Sequence, residues 1–307
     1  MRYIFSFYFS ISVIVFTLFN VALGAVVRAT GSGAGCGISW PSCNGSLVIS
    51  GQNHSELIEY MHRVSSGINL LLVFLLFYIV YKYAKKNKHV FYFAVASVLF
   101  IVLEAAIGAI IVLFQWVAED ASIARSIIVP FHLINTFFLM FVLVGIPWCL
   151  KQENALTLEF KKLYTNKYWK KFLGGIFLFF LLSISGATSA LADSLFSLGD
   201  LKSEFIADFS SRSHFLTRLR ILHPVLAVTT AGWLIYFGRE IIIKVHSSSI
   251  YSRLFKILLF LFFLEFIIGI LNIILLVPIF LQILHLLFAH FVWITLTLFI
   301  FEGLKDQ

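Results

Sequence analysis

Leu103-Glu104-Ala105-Ala106-Ile107-Gly108 recurs 161 positions later as Leu264-Glu265-Phe266-Ile267-Ile268-Gly269. In both copies a carboxylate sits in an apolar stretch and is followed four residues on by glycine. Other pairs keep the same spacing. His62 and His223 are also 161 apart, and Gly24-Ala25 and Gly186-Ala187 are 162 apart. His132 and His285 are 153 apart, which a shorter connector in the second half explains. The chain therefore reads as one unit written twice.

Each unit holds four apolar runs. They lie near 3–27, 60–81, 90–114 and 126–149, and again near 172–192, 219–238, 254–277 and 280–301. The chain is 60% hydrophobic and 12% charged, against about 25% charged for a soluble domain. Each run approaches or exceeds the ~20 residues that span a bilayer, and a helix satisfies its own backbone groups there. The first run is longer than the ~7–15 apolar residues of a secretory signal, so it is expected to span. The expected fold is an all-α integral membrane protein whose eight transmembrane helices form two pseudo-symmetric four-helix bundles. Repeats of equal orientation are related by an axis along the membrane normal. Residues 1–150 form the first bundle, 172–307 the second, and 151–171 a cytoplasmic linker.

A net charge of +8 would suggest nucleic acid in a soluble protein. Here the basic residues sit in connectors: Lys82, Lys85, Lys86 and Lys88; then Lys151, Lys161, Lys162, Lys167, Lys170 and Lys171; then Arg239, Lys244, Arg253 and Lys256. The alternate connectors hold fewer, and the longest carries Asp193, Asp200, Glu204 and Asp208. The positive-inside rule places both termini in the cytoplasm and segments 28–59, 115–125 and 193–218 outside. The expected site is a bacterial plasma membrane, and no nucleic-acid role is expected.

Nine histidines are present. His54, His89, His214 and His246 fall in connectors and read as solvated residues. His290, in the last run, reads as a packing residue or a partner to a ligand. The other four differ. His62 opens the second helix, His132 lies about two turns into the fourth, His223 opens the sixth, and His285 sits near the start of the eighth. Each half thus offers two histidines at similar depth in the outer half of the membrane, where ionisable groups are costly and usually functional. Two imidazoles facing across a bundle can supply both axial ligands of one heme iron. Zinc would ask for three or four clustered ligands.

The repeat keeps these histidines and changes their neighbours. Glu59 precedes His62 by three residues and shares its helix face, whereas Arg220 holds the matching place before His223. Two readings of Glu59 stand: an acid/base or cation-stabilising group at a reacting first-half site, or a surface carboxylate favoured by a helix N-terminus. Arg63, Arg218 and Arg220 are candidate partners of heme propionates. Glu104 and Glu265 read as interhelical hydrogen-bonding groups. Cys36 and Cys43 flank Gly-Ile-Ser-Trp-Pro-Ser in the first outward loop, on the oxidising side. They read either as a staple for that loop or as a thiol pair passing electrons. Cys149 reads as packing.

The run from Gly24 through Arg28-Ala29-Thr30-Gly31-Ser32-Gly33-Ala34-Gly35-Cys36, then Trp40-Pro41-Ser42-Cys43, then Glu59-Tyr60-Met61-His62-Arg63, resembles the heme A synthase family. So do Gly186-Ala187-Thr188 through Phe196, His223, and Gln282-Ile283-Leu284-His285. The resemblance covers nearly the whole chain. It implies an oxidoreductase that converts the C8 methyl of heme O to a formyl group through the alcohol heme I, giving heme A for terminal oxidases. It also implies substrate heme at His62 and His132, a heme b cofactor on iron ligands His223 and His285, a catalytic Glu59, and a Cys36–Cys43 disulfide. The implied partners are heme O, membrane lipid, and the heme O synthase and terminal-oxidase assembly machinery. An electron acceptor is needed, and a homo-oligomer is compatible with the pattern. Some members carry a second cysteine pair in the third outward loop; residues 193–218 have none. A bis-histidine diheme electron carrier explains the histidines equally well but leaves Glu59 and the cysteine loop without a role. A heme transporter or chaperone would leave the bound heme unchanged.

Overall fold

The computed structural model describes residues 2–49, 53–85, 87–152, 158–159, 161–244 and 249–305; Lys86 and His246 lie outside the described residues. Eight segments are long and apolar enough to cross a membrane, and the chain is a multi-pass membrane protein. The helices are α1 (Arg2–Ala29), α2 (His54–Tyr83), α3 (Lys88–Leu113), α4 (Ile123–Leu150), α5 (Lys161–Thr165), α6 (Lys167–Phe196), α7 (Leu201–Phe209), α8 (Phe215–Leu219), α9 (Leu222–Lys244), α10 (Ser249–Ile274) and α11 (Ile279–Leu304). The sixth span is made of α8 and α9 together. Pro224 has no N–H to give the carbonyl of Arg220, four residues back, so the helix breaks there.

All eight expected runs are spans, but most start earlier than apolarity alone suggests. Asn53 caps α2 by accepting the Ser55 N–H, Asn87 caps α3 at Val90, Ser122 caps α4 at Arg125, and Asn166 caps α6 at Tyr168 and Trp169. Side chains of this kind satisfy the open N–H groups of a first turn. The polar first turns they support lie outside any apolar run. One consequence is that His62 does not open its helix. It lies eight residues beyond His54, about 12 Å along the axis, and His132 lies nine beyond Ile123, about 13 Å, at 1.5 Å per residue. At the other extreme the seventh run overshoots. α10 ends at Ile274, and the chain turns through Leu276 and Val277 with φ of 58° and 56°.

In the first half α1 packs on α2 and α4, and α3 packs on α2 and α4. In the second half α9 packs on α6 and α10, and α10 on α11. The halves meet where α4 lies against α6 and α11 and α1 lies against α11. An aromatic core fills this seam. Phe179 stacks on Trp293 with ring centroids 5.3 Å apart, and Trp293 donates its indole N–H to the Phe137 carbonyl at 2.7 Å. Polar pairs inside the first half fix how α1 is rotated against α2. Thr17 meets Asn69 at 3.0 Å, and Ser65 and Ser66 both donate to Asn20 Oδ1. In lipid such contacts and close small-residue packing hold helices together, because burial of apolar surface adds little.

Gly303 shows how tightly α11 packs on α6 at the end away from the cysteine loop. A Cβ there would stand 1.9 Å from Trp169 Cζ2, in the fully buried ring of α6. Gly67 in α2 has no heavy atom within 4 Å of such a position. Gly303→Ala is expected to destabilise by about 1–3 kcal/mol through overpacking. Gly67→Ala should be neutral or favourable by up to about 1 kcal/mol from helix propensity. Thermal unfolding of the two variants in detergent, compared with the parent, checks both signs.

Candidate functional site

All four repeated histidines gather at the end of the molecule that carries the cysteine loop. In the second half the rings of His223 and His285 face each other with centroids 6.1 Å apart and planes at 86°. His223 is set by α6. A Cβ on Gly186 would lie 2.8 Å from its Cε1, and Ser185 Oγ is 3.2 Å from its Nδ1. His285 is set by α10, where Glu265 stands in close contact with its Nδ1.

The first half is built on the same plan. A Cβ on Gly24 would lie 3.0 Å from His62 Cε1, so glycine lets the imidazole rest against the backbone of α1. Among the described residues His62 Nδ1 is buried with no hydrogen-bond partner. His132 Nδ1 stands 3.4 Å from Glu104 Oε1.

The donor set suits a heme. The rings of His223 and His285, with centroids 6.1 Å apart, are near enough for both imidazoles to reach one iron. Among the described residues no three His, Cys, Asp or Glu side chains come together as a metal cluster. Two histidines are a donor set that would hold a heme iron.

The residues around the histidines hold loops. Glu59 is buried, and its Oε2 accepts the Cys36 N–H at 2.8 Å while its Oε1 accepts Arg63 Nε at 3.1 Å and Nη2 at 2.5 Å. Arg63 Nη1 donates to the carbonyls of Ser39 and Ser42, each at 2.5 Å. Asn44 donates to Glu56 Oε1 at 3.0 Å, and Tyr60 to the Leu47 carbonyl at 2.8 Å. A Cβ on Gly35 would strike the Ser55 backbone at 2.4 Å, so only glycine lets the loop lie this close to α2. Within it Cys36 and Cys43, both buried, form a disulfide. Cys149 is buried and free.

Arg220, the repeat counterpart of Glu59, clasps the other long loop with the opposite charge. Its guanidinium reaches Asp193 at 2.8 Å, Glu204 at 2.7 Å and Asp208 at 2.8 Å. Burial pushes Asp208 up from the ordinary carboxylate range, with Arg220 opposing. Burial acts the same way on Glu204, but the Leu198 N–H and Arg220 together bring it below its ordinary value. Arg63 and Arg220, both read as propionate partners, are thus engaged by the protein itself, and Arg218 is exposed. His290 is buried against Phe137 at 4.7 Å, with Nδ1 2.8 Å from the Leu286 carbonyl.

Sequence reasoning gave no role to Arg28. It ends α1 and crosses to the second half, donating to the Ala190 carbonyl and to Gln282 Oε1, each at 2.9 Å. A cation closing an otherwise apolar run was the available signal, but its partners lie 162 and 254 residues away.

The cytochrome oxidase assembly protein family matches residues 7–297, so the chain belongs to that family. A protoheme IX farnesyltransferase of Thermus thermophilus is 36% identical over 287 residues, 92% of this chain and 46% of that protein. The corresponding protein of a second strain of the same species matches to the same extent. A heme A synthase of Listeria welshimeri is 41% identical over 86 residues, 28% of each chain. The chain therefore spans about half the length of the Thermus relatives.

The clasp has a measurable consequence. Arg63→Ala removes the two carbonyl contacts and leaves Glu59 buried without its cation, so the loop should lift from α2. The Cys36–Cys43 disulfide is then expected to be reduced and alkylated several-fold faster than in the parent under mild reductant, read as mass shifts over time.

Proposed function

We propose that this member of the cytochrome oxidase assembly protein family is a heme A synthase, oxidising the C8 methyl of heme O to a formyl group by way of the alcohol heme I. The carrying observation is the duplicated pair of histidines, one pair beside a buried carboxylate and the other facing across 6.1 Å. The names of the relatives agree. One set makes heme A, and the other farnesylates protoheme IX, which supports a farnesylated heme as the incoming substrate.

In this reading His62 and His132 would hold the iron of the substrate heme. Conversion of methyl to formyl takes one water and releases four protons and four electrons. Glu59, one turn before His62, is the proposed group to take protons at the reacting carbon. An ionised carboxylate has about four acceptor positions, and Cys36 and Arg63 use three of them. One position remains for a substrate proton. The Arg63 contact orients Glu59. His223 and His285 would hold a resident heme b, which supplies a path for the electrons to leave. An outward-facing loop end, cytoplasmic termini, and docking to heme O synthase and terminal-oxidase assembly belong to the same proposal.

The test is chemical. Membranes of cells that make heme O, with and without this chain, are extracted and their hemes separated by chromatography and mass spectrometry. Heme A, with some heme I, is expected only with the chain. Glu59→Gln, which keeps a polar group for Cys36, should bind heme and lose conversion by about 10²-fold or more, in the range for removal of a general base. Unaltered heme O beside a protein with bis-histidine spectra would favour an electron carrier instead.

A further inference from the structure

The repeated carboxylates of α3 and α10 touch neither a loop nor another ion. Each is aimed at the Nδ1 of the histidine on the fourth span of its half: Glu104 at His132 and Glu265 at His285. A carboxylate on one ring nitrogen fixes the tautomer, leaves Nε2 as the free nitrogen for a metal, and makes that nitrogen a stronger donor.

The two carboxylates are not equally committed. Glu104 Oε2 accepts Asn135 Nδ2 at 2.5 Å and its Oε1 accepts Thr136 Oγ1 at 2.6 Å, leaving His132 at 3.4 Å. Phe288 and Ala289 occupy the matching positions of the second half, and neither side chain can donate. Among the described residues Glu265 has no hydrogen-bond donor, and its one polar contact is His285. The histidines of the second spans follow the same trend. His223 Nδ1 has Ser185, whereas His62 Nδ1 has nothing. At the position matching Ser185 the first half has Leu23 or Gly24, depending on which repeat spacing is applied.

We propose that Glu265 and Glu104 are positioning residues of unequal strength. Glu265 has His285 as its one polar contact and makes the second-half site a tight, low-potential one, while Glu104 is divided among three groups and leaves the first-half site weaker and exchangeable. This rests on the reading that the histidine pairs bind heme. It adds a physical cause for one site retaining its heme while the other turns over.

The full-length protein is purified in detergent with the heme it retains. Its midpoint potential, its low-spin electron paramagnetic resonance signal and its loss of heme to excess apomyoglobin are measured for the parent, Glu265→Gln, Glu265→Ala and Glu104→Gln. Glu265→Gln should keep heme but shift the midpoint upward and change the resonance signal. Glu265→Ala should shift it further and speed heme loss about tenfold or more. Glu104→Gln should leave the retained heme's midpoint unchanged. Retention, midpoint and signal all unchanged in both Glu265 variants would overturn the proposal, as would an equal shift from Glu104→Gln. The two levels separate through His285→Ala. If that variant loses the retained heme while the Glu265 variants behave as the parent, only the positioning role fails. If the parent holds no bis-histidine heme, the underlying reading fails with it.

Discussion

An imidazole placed inside a bilayer has no water to hold it, so its direction must come from protein atoms on every side. Here that constraint is met first by absence. Gly24 and Gly186 remove the side chains that would occupy the space of His62 and His223, and the rings lie against bare helix backbone. Close approach then requires that α1 and α6 be correctly rotated. In the first half Thr17–Asn69 and the Asn20 contacts set that rotation, because a polar group in lipid that misses its partner is expensive. The positions of the histidines, and whatever they bind, therefore depend on contacts a turn or two further down the helices.

Both halves set a histidine against a helix glycine, at Gly24 and Gly186, and they differ in how the loops above are tied. In the first, a disulfide closes the loop and an anion, Glu59, receives it. In the second, the cation Arg220 gathers three carboxylates and ties α7 without a disulfide. One repeat position thus serves as a clasp twice, with opposite charge. The missing second cysteine pair leaves no gap in this scheme. It also separates the halves chemically: the clasp beside His62 offers a carboxylate with a remaining lone pair, and the one beside His223 has its guanidinium surrounded.

Much of this was legible in the sequence. Eight spans follow from run length, and the repeat of Glu104 and Glu265 marks them as partners of another helix, which they are. The approach of His223 to His285 follows from matched spacing. What the sequence does not display is partnership at a distance. Arg63 reads as a cation beside a histidine, and only the fold shows it holding Ser39 and Ser42. Arg28 reads as the end of a run, and only the packing of α1 on α11 brings it to Gln282. Helices start earlier than hydropathy indicates because caps such as Asn53 begin polar turns, so His62 stands about two turns inside its helix instead of opening it.

The central claim is that His223 and His285 are brought together to bind one iron. Replacing His285 by Met in the full-length protein and recording the near-infrared magnetic circular dichroism of the retained heme addresses it directly. The account predicts that the bis-histidine charge-transfer band of the parent is replaced by one of histidine–methionine ligation, or that the heme is lost. A parent band that persists unchanged in His285→Met would contradict it.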